Sequence, residues 1–349
     1  MGRHGSRWSD RLEAAWYARR VTPLAAVLAP AALLYRGIVA LRRACYRHGV
    51  LRTARLPVPV IVVGNLSVGG AGKTPLTRTL ADALAARGWH PGIVSRGYGG
   101  TNRAPRPVAS DDDPALVGDE PPILAASGHP VWIGRDRPAA ARALLAAHPA
   151  CDVLIADDGL QHYALGRDVE IAVIDSSRGL GNGLMLPAGP LREPAARLEE
   201  VHAIVRLVAW GAPLPPSGNH GRDSVTTHEP LPWRNLVAAD REPDLDEWRS
   251  GTLHAVAGTG HPQRFFDLVR ALGFAPACHP FPDHHVFAPA DLAFPGATAI
   301  LMTEKDAVKC EVFATARCWS VPVTAELPEL FAQRLQQLLM RGDDGQEAA

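Results

Sequence analysis

The stretch VPVIVVGNLSVGGAGKTP, residues 58–75, decides the fold of this 349-residue chain. Its first part, VPVIVVG, is apolar and rich in valine, which is typical of a strand buried on both faces. A glycine-rich loop ending in Gly72-Lys73-Thr74 follows, and Leu76, Leu80 and Leu84 then recur at the spacing of one helix face. Backbone N–H groups bind phosphate where such a loop joins a strand to a helix. The stretch therefore predicts a nucleotide-binding α/β unit.

The residues of this loop have separate expected roles. Lys73 is expected to reach the β- and γ-phosphates, and the hydroxyl of Thr74 is expected to occupy a Mg²⁺ ligand position. Ser67 stands where the strict phosphate-loop pattern has its first glycine, so a glycine turn without a nucleotide stays an alternative. The residues that we expect to bind ATP are Ser67, Val68, Gly69, Gly70, Ala71, Gly72, Lys73 and Thr74.

Short apolar strands alternate with helical patterns along most of the remaining chain. Residues 151–156 and 169–175 are apolar without alternation, and residues 138–148 follow a helical period. Such a succession predicts an α/β fold with a parallel sheet covered by helices on both faces. We expect a P-loop NTPase-like parallel sheet domain at residues 56–210 and a linker at residues 211–250. A second, smaller α/β domain with a C-terminal helix is expected at residues 251–349.

The first 55 residues are both basic and apolar. They contain eleven arginines and two acidic residues, although the whole chain balances 36 basic against 36 acidic side chains. The charge-free run at 21–35 is shorter than the roughly twenty residues that span a bilayer. Arginines and aromatic rings around an apolar run are typical of helices in a membrane interface. We expect residues 1–55 to form a membrane-associated helical segment on anionic lipids, with a buried helix and a single span as alternatives.

The composition excludes several other classes. Five scattered cysteines without a CxxC spacing indicate a reducing compartment and neither a disulfide framework nor a thiolate zinc site. The balanced total charge predicts no nucleic-acid partner, and no motif predicts a protein partner.

Two acidic residues follow the strand at 151–156. Asp157 and Asp158 stand at its C-terminal end, where ligands bind in parallel α/β sheets. Carboxylates beside a phosphate loop are typical of Mg²⁺ sites. The predicted metal ligands are therefore Thr74, Asp157 and Asp158, and the alternative is that one of these acids only caps the turn before Gly159.

Four shorter motifs are individually ambiguous. GDEPP places Asp119 ahead of a helix, where an acid is more often an N-cap than a base. FPDHH, residues 281–285, places two histidines beside an aspartate, which can orient a proton acceptor. Arg96 and Arg192 lie in rigid turns, where a cation binds either a phosphate or a nearby carboxylate.

Eight motifs together resemble the tetraacyldisaccharide 4′-kinase family. They are GNLSVGGAGKTP, SRGYGG, GDEP, DDGLQH, GNGLMLPAGPLRE, AVAGTGHPQRFF, FPDHHVF and TEKDAVK, in this order along the chain. The resemblance implies an enzyme of lipid A biosynthesis that transfers the γ-phosphate of ATP to the 4′-hydroxyl of tetraacyldisaccharide 1-phosphate, giving lipid IVA. It also implies Mg²⁺, two α/β domains joined by a β linker, and a peripheral or monotopic position on the cytoplasmic face of the bacterial inner membrane.

The same resemblance implies roles for individual residues. The Asp119–His284 pair is expected to take the proton from the sugar hydroxyl, which requires the two domains to close, and His285 stays an alternative to His284. The residues expected to act in catalysis are Asp119, His284, Lys73 and Asp158. The residues expected to bind the lipid substrate are Arg96, Gln161, His162 and Arg192.

Two other classes of protein share some of these features. A nucleotide switch or partitioning ATPase has the same loop, but Val68 stands where partitioning ATPases carry a second lysine. A soluble P-loop ligase or small-molecule kinase would have no use for the basic N-terminus.

Overall fold

The computed structural model describes residues 3–18, 20–70, 72–213 and 222–344. Ala71, which we expect in the ATP-binding loop, lies outside them, as does part of the predicted linker. The helices of the described residues are α1 (Arg3–Trp16), α2 (Pro23–Arg47), α3 (Lys73–Ala85), α4 (Pro114–Val117), α5 (Pro121–Ala125), α6 (Arg137–Ala147), α7 (Leu245–Ser250), α8 (Pro262–Ala271), α9 (Glu304–Cys310) and α10 (Glu329–Asp344).

The strands complete an α/β fold, as the alternating pattern predicts. They are β1 (Val60–Gly64), β2 (Pro91–Ser95), β3 (Arg106–Pro107), β4 (Val131–Ile133), β5 (Val153–Asp157), β6 (Val169–Asp175), β7 (Ala203–Val208), β8 (Asp223–Pro230), β9 (Arg234–Asn235), β10 (Leu253–Ala257), β11 (Ala277–Pro280), β12 (Ala299–Thr303), β13 (Cys318–Val321) and β14 (Val323–Ala325).

Strand β1 lies at the centre of a nine-stranded sheet. The order is β14-β8-β7-β6-β1-β5-β2-β4-β3, and the pairs are parallel except β14–β8 and β4–β3 at the edges. Every residue of β1, β2, β5 and β6 is buried, which agrees with their continuous apolar sequences. Because β1 and β5 are parallel neighbours with Val63 opposite Asp157, the phosphate loop and the acidic pair meet at one edge of the sheet.

A second sheet of five strands has its own core. Its order is β11-β10-β12-β13-β9, with β9 antiparallel to the other four strands. Trp248, Phe265, Phe266 and Trp319 are among the buried side chains on one of its faces. The predicted linker is therefore structured where it is described, since β8 extends the first sheet, β9 extends the second, and α7 contributes Trp248 to this core.

The C-terminal helix packs on a different core from the one that the predicted division implies. Strand β14 pairs with β8, and α10 buries Phe331, Leu335 and Leu339 against the first sheet. An amphipathic pattern predicts that a helix buries one face, but it does not say which core receives that face. Residues 323–344 thus return to the first sheet, and the domain boundaries at 210 and 250 stay predictions.

Helix α2 is the long apolar helix of the N-terminal segment. Its 25 residues span about 37 Å at 1.5 Å per residue. Tyr35 and Val39 pack against the first sheet's core. Five apolar side chains, each more than half exposed, lie elsewhere on the helix: Val27, Leu33, Leu34, Ile38 and Leu41. By length and composition alone α2 is able to cross a membrane, and only 11% of its most apolar window is buried. One such helix near the N-terminus is a weak indication of membrane contact.

Candidate active site

The loop after β1 is organised around Asn65 and Lys73. Lys73, the first residue of α3, donates a hydrogen bond to Oδ1 of Asn65 at 3.1 Å, and its Nζ lies 3.4 Å from Oδ1 of Asp158. The side-chain amide of Asn65 donates to the carbonyl of Gly69 at 3.4 Å. Gly69 and Gly72 have φ values of 97° and 75°, which glycine adopts at little cost. This arrangement fixes an ammonium group at the N-terminus of a helix.

Two residues of the predicted ATP-binding set are also engaged by the turn at 190–191. Ser67 forms an antiparallel bridge with Leu191. The N–H of Val68 donates to the carbonyl of Pro190 at 2.9 Å. That N–H is therefore occupied, although Val68 itself lines the crevice beside the loop.

Gly72 requires glycine for space as well as for conformation. A Cβ at this position would lie 2.7 Å from Cδ1 of Leu207 and 2.7 Å from Nε2 of His228. His228 donates through Nε2 to the carbonyl of Gly72 at 3.3 Å. Burial, and then the charge of Arg264, lower the pKa of His228 to about 3, so the ring is neutral at physiological pH.

The acidic pair at the end of β5 occupies two environments. Asp157 is fully buried and accepts a hydrogen bond from the hydroxyl of Thr77 at 2.9 Å. Burial, together with the negative charge of Glu120, raises the pKa of Asp157. For Asp158, burial alone would raise the pKa, but the charges of Lys73 and Arg192 outweigh it and hold the pKa well below its usual value. Asp158 is therefore ionised at neutral pH.

The oxygen donors at this edge of the sheet suit Mg²⁺. Asp157 Oδ2 is buried without a hydrogen-bond partner among the described residues. Asp158 follows it directly in the chain, and Thr74 lies in α3, after the loop that follows the neighbouring strand β1. Within the part of the chain that the structure describes, no three His, Cys, Asp or Glu side chains form a metal cage. A cation here would therefore take further ligands from phosphate and water, as Mg²⁺ commonly does.

Asp119 and His284 come together from the two sheets. Asp119 lies in the turn between α4 and α5, and its Oδ2 is 3.0 Å from Nδ1 of His284 in the loop after β11. Burial alone would raise the pKa of Asp119, but the hydrogen bond with His284 and the charge of Lys305 lower it. The carboxylate is thus the acceptor, and His284 carries its proton on Nδ1. Asp119 does not cap α5, because Glu120 occupies that position.

Lys305 and Lys309 surround this pair on α9. Nζ of each lysine lies 3.8 Å from Oδ2 of Asp119, and Nζ of Lys305 is 3.4 Å from Nε2 of His284. An ammonium group only donates, so Nε2 of His284 is the acceptor in this contact when the ring is neutral. Lys73, Lys305 and Lys309 are the three lysines of the chain. All three lie at this site.

The structure distinguishes the two neighbouring histidines. His285 points away from Asp119 and interacts through Nε2 with Asp291 at 3.0 Å, between the rings of Phe281 and Phe287. The hydrogen bond to Asp119 is the largest influence on His284 and raises its pKa. His284 is therefore the histidine that faces the crevice.

Asp158 and His284 share an unusual backbone conformation. Their φ values are 49° and 58°, and they are the two non-glycine residues with positive φ in the described chain. Such conformations cost roughly 1–3 kcal/mol and occur most often at functional sites.

One crevice of about 650 Å³ brings these groups together. It is lined by Lys73, Asp158 and His284, and by all four residues that we predict to bind the lipid substrate: Arg96, Gln161, His162 and Arg192. Arg192 lies 3.3 Å from Asp158 Oδ2 and also donates to Gln161 Oε1 at 3.3 Å. Among the described residues Arg96 is exposed and has no ion pair. Burial lowers the pKa of His162 to about 4, so its ring is neutral.

Sequence reasoning missed several supporting residues. Lys305 and Lys309 of α9 both belong to the motif TEKDAVK, but the sequence analysis assigns them no function. Asp175 stands at the carboxyl end of β6, as Asp157 stands at the carboxyl end of β5, so the same sequence pattern could have identified it. It accepts from Nδ1 of His261 at 2.9 Å and pairs with Arg264, both at the start of α8. The first sheet is thereby tied to the second beside the phosphate loop.

Comparison with known proteins agrees with this geometry. Residues 24–340 match the tetraacyldisaccharide-1-P 4′-kinase family. The tetraacyldisaccharide 4′-kinase of Azoarcus sp. is 49% identical over 327 residues, covering 93% of this chain and 95% of that protein. The protein of the same name from Alkalilimnicola ehrlichii is 50% identical over 340 residues, covering 95% and 98%.

A solved structure is also similar. It is the "apo" form of LpxK from Aquifex aeolicus in complex with ATP, with a TM-score of 0.73 and 29% sequence identity, covering 91% of this chain and 99% of that one. This chain therefore belongs to the tetraacyldisaccharide-1-P 4′-kinase family.

Proposed function

We propose that this protein is a lipid kinase of lipid A biosynthesis. It transfers the γ-phosphate of ATP to the 4′-hydroxyl of tetraacyldisaccharide 1-phosphate, giving lipid IVA. The observation that carries this proposal is the single crevice in which Lys73 of the phosphate loop faces the Asp119–His284 pair. Family membership supports the substrate and the reaction.

ATP is proposed to bind along the loop between β1 and α3. Its phosphates lie against Gly69, Gly70 and Lys73, where the N-terminus of α3 adds a favourable dipole. A neighbouring cavity of about 180 Å³ is more apolar and includes Trp210 and Phe265 in its lining. We assign this cavity to the adenine ring. The complex of the Aquifex aeolicus protein with ATP supports the nucleotide assignment.

Mg²⁺ is proposed to be held by Thr74, Asp157 and Asp158 together with the phosphates. When bound, it neutralises charge on the β- and γ-phosphate oxygens. The residues of the chain supply the rest of the electrostatics, because Lys73 and Arg192, which both contact Asp158, direct positive charge into the crevice.

His284 is proposed to accept the proton of the sugar hydroxyl. Its Nε2 lone pair faces the crevice, and Asp119 holds the ring through Nδ1. The substrate hydroxyl would replace Lys305 as the partner of Nε2. Asp119 then stabilises the imidazolium that forms, and the buried position of that carboxylate makes this interaction strong.

The lipid substrate is proposed to enter the crevice from the membrane side. Tyr35 and Val39 of α2 line the same crevice as Arg96, Gln161, His162 and Arg192. The exposed apolar face of α2 would rest in the bilayer, so the acyl chains stay in lipid while the head group reaches His284. The proposed position is peripheral or monotopic, on the cytoplasmic face of the bacterial inner membrane.

The proposal requires the two predicted domains to close over the substrates. His284 and Lys305 come from the second sheet, whereas Asp119 and Lys73 come from the first. The contacts of Asp175 with His261 and Arg264 support closure at the other end of the crevice. Closure also excludes water, which limits transfer of phosphate to solvent.

The test is transfer of label from γ-labelled ATP to detergent-dispersed tetraacyldisaccharide 1-phosphate with Mg²⁺. The wild type is expected to label the lipid, and Lys73→Ala is expected not to. Arg142→Ala removes one exposed cation of α6 and serves as the matched control, with full activity expected. Retained transfer by Lys73→Ala would remove the phosphate-loop assignment.

A further inference from the structure

A second cavity with a basic lining shares Arg43 and Tyr163 with the crevice. It has a volume of about 320 Å³ and is lined by residues at the amino ends of β1 and β6, including Val60 and Asp168. The phosphate loop follows the opposite, carboxyl end of β1. We call this cavity the basic pocket, and its cationic lining residues are Arg43, Arg47, Arg55, Arg167 and Arg197.

The positive charges of the basic pocket exceed the acids that face them. Glu200 pairs with Arg43 at 2.5 Å, and the carboxylate of Asp168 accepts the N–H of Val60 at 2.8 Å. Arg47 and Arg55 are exposed and form no ion pair with any residue that the structure describes. Two exposed cations of the lining are therefore available to an anion.

Arg197 supplies a second and independent indication of a ligand. It lines the basic pocket, is only 3% exposed, and bonds to both carboxylate oxygens of Glu170 at 2.5 and 2.6 Å. Its Nη1 is buried without a hydrogen-bond partner in the described residues, since Glu200 is 3.7 Å away. A buried guanidinium N–H without an acceptor is unfavourable. An oxyanion in the pocket would give Nη1 of Arg197 a hydrogen-bond acceptor.

Aromatic stacking holds other cations of this wall in place. The guanidinium groups of Arg167 and Arg43 lie 5.1 and 5.8 Å from the centre of the Tyr163 ring. Arg167 also donates to the carbonyls of Leu160 and Leu165 and to Glu170, and Arg43 pairs with Glu200, so both groups are fixed and contribute positive charge. The lining is thus organised before any ligand arrives.

The position of the basic pocket indicates where the anion comes from. Arg43 and Arg47 belong to the last turns of α2, the helix whose apolar side chains are exposed. Val50 and Leu51 follow α2 and are 73% and 40% exposed. Exposed apolar side chains beside a cationic recess suit a lipid, because its chains and its phosphate require different surroundings.

We propose that the basic pocket binds the phosphate headgroup of an anionic glycerophospholipid. The inference rests on the proposed membrane contact of α2 and does not depend on phosphate transfer. The shared chemistry is a phosphate oxyanion, which a sugar phosphate also carries. Bound in this way, a lipid would fix the depth and orientation of α2 at the membrane surface.

The test compares two double variants in vesicle binding. Arg47→Gln with Arg55→Gln removes the two lining cations that have no ion pair within the described part of the chain. Arg36→Gln with Arg52→Gln removes two exposed arginines of the same segment that do not line it and form no ion pair in the described chain. Full-length protein is titrated with phosphatidylcholine vesicles, with and without phosphatidylglycerol, and thermal melting checks that the variants fold.

The pocket predicts unequal losses between these variants. Each surface arginine near an anionic membrane contributes roughly fivefold in affinity, so the control double variant is expected to lose about 25-fold. The pocket double variant is expected to lose on the order of 100-fold or more, since charge-assisted hydrogen bonds are lost too. Soluble glycerophosphoglycerol is expected to reduce binding of the wild type and to leave the pocket double variant unaffected.

Several results would overturn the inference. Equal losses in the two double variants, without competition by glycerophosphoglycerol, would reduce the pocket to general surface charge. Competition by glucose 1-phosphate alone would assign the pocket to a sugar phosphate instead of a lipid headgroup. A wild type that binds neither vesicle would remove the proposed membrane contact itself, which the transfer assay in detergent does not test.

Discussion

Loss of either member of the Asp119–His284 pair is expected to slow phosphate transfer without weakening the binding of ATP. A positioned general base contributes roughly 10²–10⁴-fold to a rate. His284→Ala and Asp119→Ala should therefore each reduce kcat by about 10²–10⁴-fold. The hydrogen bond of 3.0 Å makes the two residues one unit. The double variant is consequently expected to be about as slow as either single variant.

Stability has to be measured beside the rate, because Asp119 also faces two partly buried cations. Lys305 and Lys309 each lie 3.8 Å from it, but Lys305 keeps Glu120 and Asp283, and Lys309 keeps Asp306. Asp119→Ala is therefore expected to lower the free energy of unfolding by about 1–3 kcal/mol, less than the loss of a buried cation's sole partner. Urea unfolding measures this, and Asp119→Asn provides a variant of equal shape.

The pH profile of kcat/KM identifies the base. His284 must be neutral to accept a proton, so the rate rises with pH through its pKa, which the bond to Asp119 raises above the ordinary value. Asp119→Asn removes this cause, and the acidic limb is expected to move to lower pH while the plateau falls. Additive losses in the double variant, or an acidic limb that neither variant moves, would refute the coupled pair.

The remaining predictions concern neighbouring charge, space and the membrane. The charge of Lys305 lowers the pKa of His284, so Lys305→Gln should move the acidic limb to higher pH; a shift in the opposite direction would contradict the geometry. Gly72→Ala should lower the free energy of unfolding, measured in urea, by about 1–3 kcal/mol more than Gly88→Ala. Both glycines have positive φ, but of the two only Gly72 is crowded by His228. Equal losses would count against this packing. Flotation with anionic vesicles should weaken as salt rises, whereas salt-independent binding would favour α2 as a spanning helix.

Local pattern predicts the part of the fold that positions the nucleotide. The continuous apolar runs predict β1, β5 and β6, since strands buried on both faces admit no polar alternation. The acids that end β5 follow from the rule that ligands bind at the carboxyl ends of parallel strands. These inferences need only the spacing of residues along one stretch of chain.

Contacts between distant stretches of the chain could not be predicted from the sequence. The helical period of α10 does not state that its apolar face joins the core beside α3. The occupied N–H of Val68 depends on Pro190, which is far away in the chain. Adjacent histidines in a loop have the same local sequence, so their spacing alone does not decide between His284 and His285. Each of these points depends on tertiary packing, and the structure settles where the side chains lie.

The most direct test of the proposed function is the position of the new phosphate on the lipid. Wild-type protein is incubated with ATP, Mg²⁺ and tetraacyldisaccharide 1-phosphate, and the product is analysed by phosphorus NMR beside the Lys73→Ala variant. A second phosphate monoester on the 4′ carbon, formed by the wild type alone, is the predicted result. Free phosphate released at the same rate with and without the lipid would contradict the proposal and indicate a nucleotide switch.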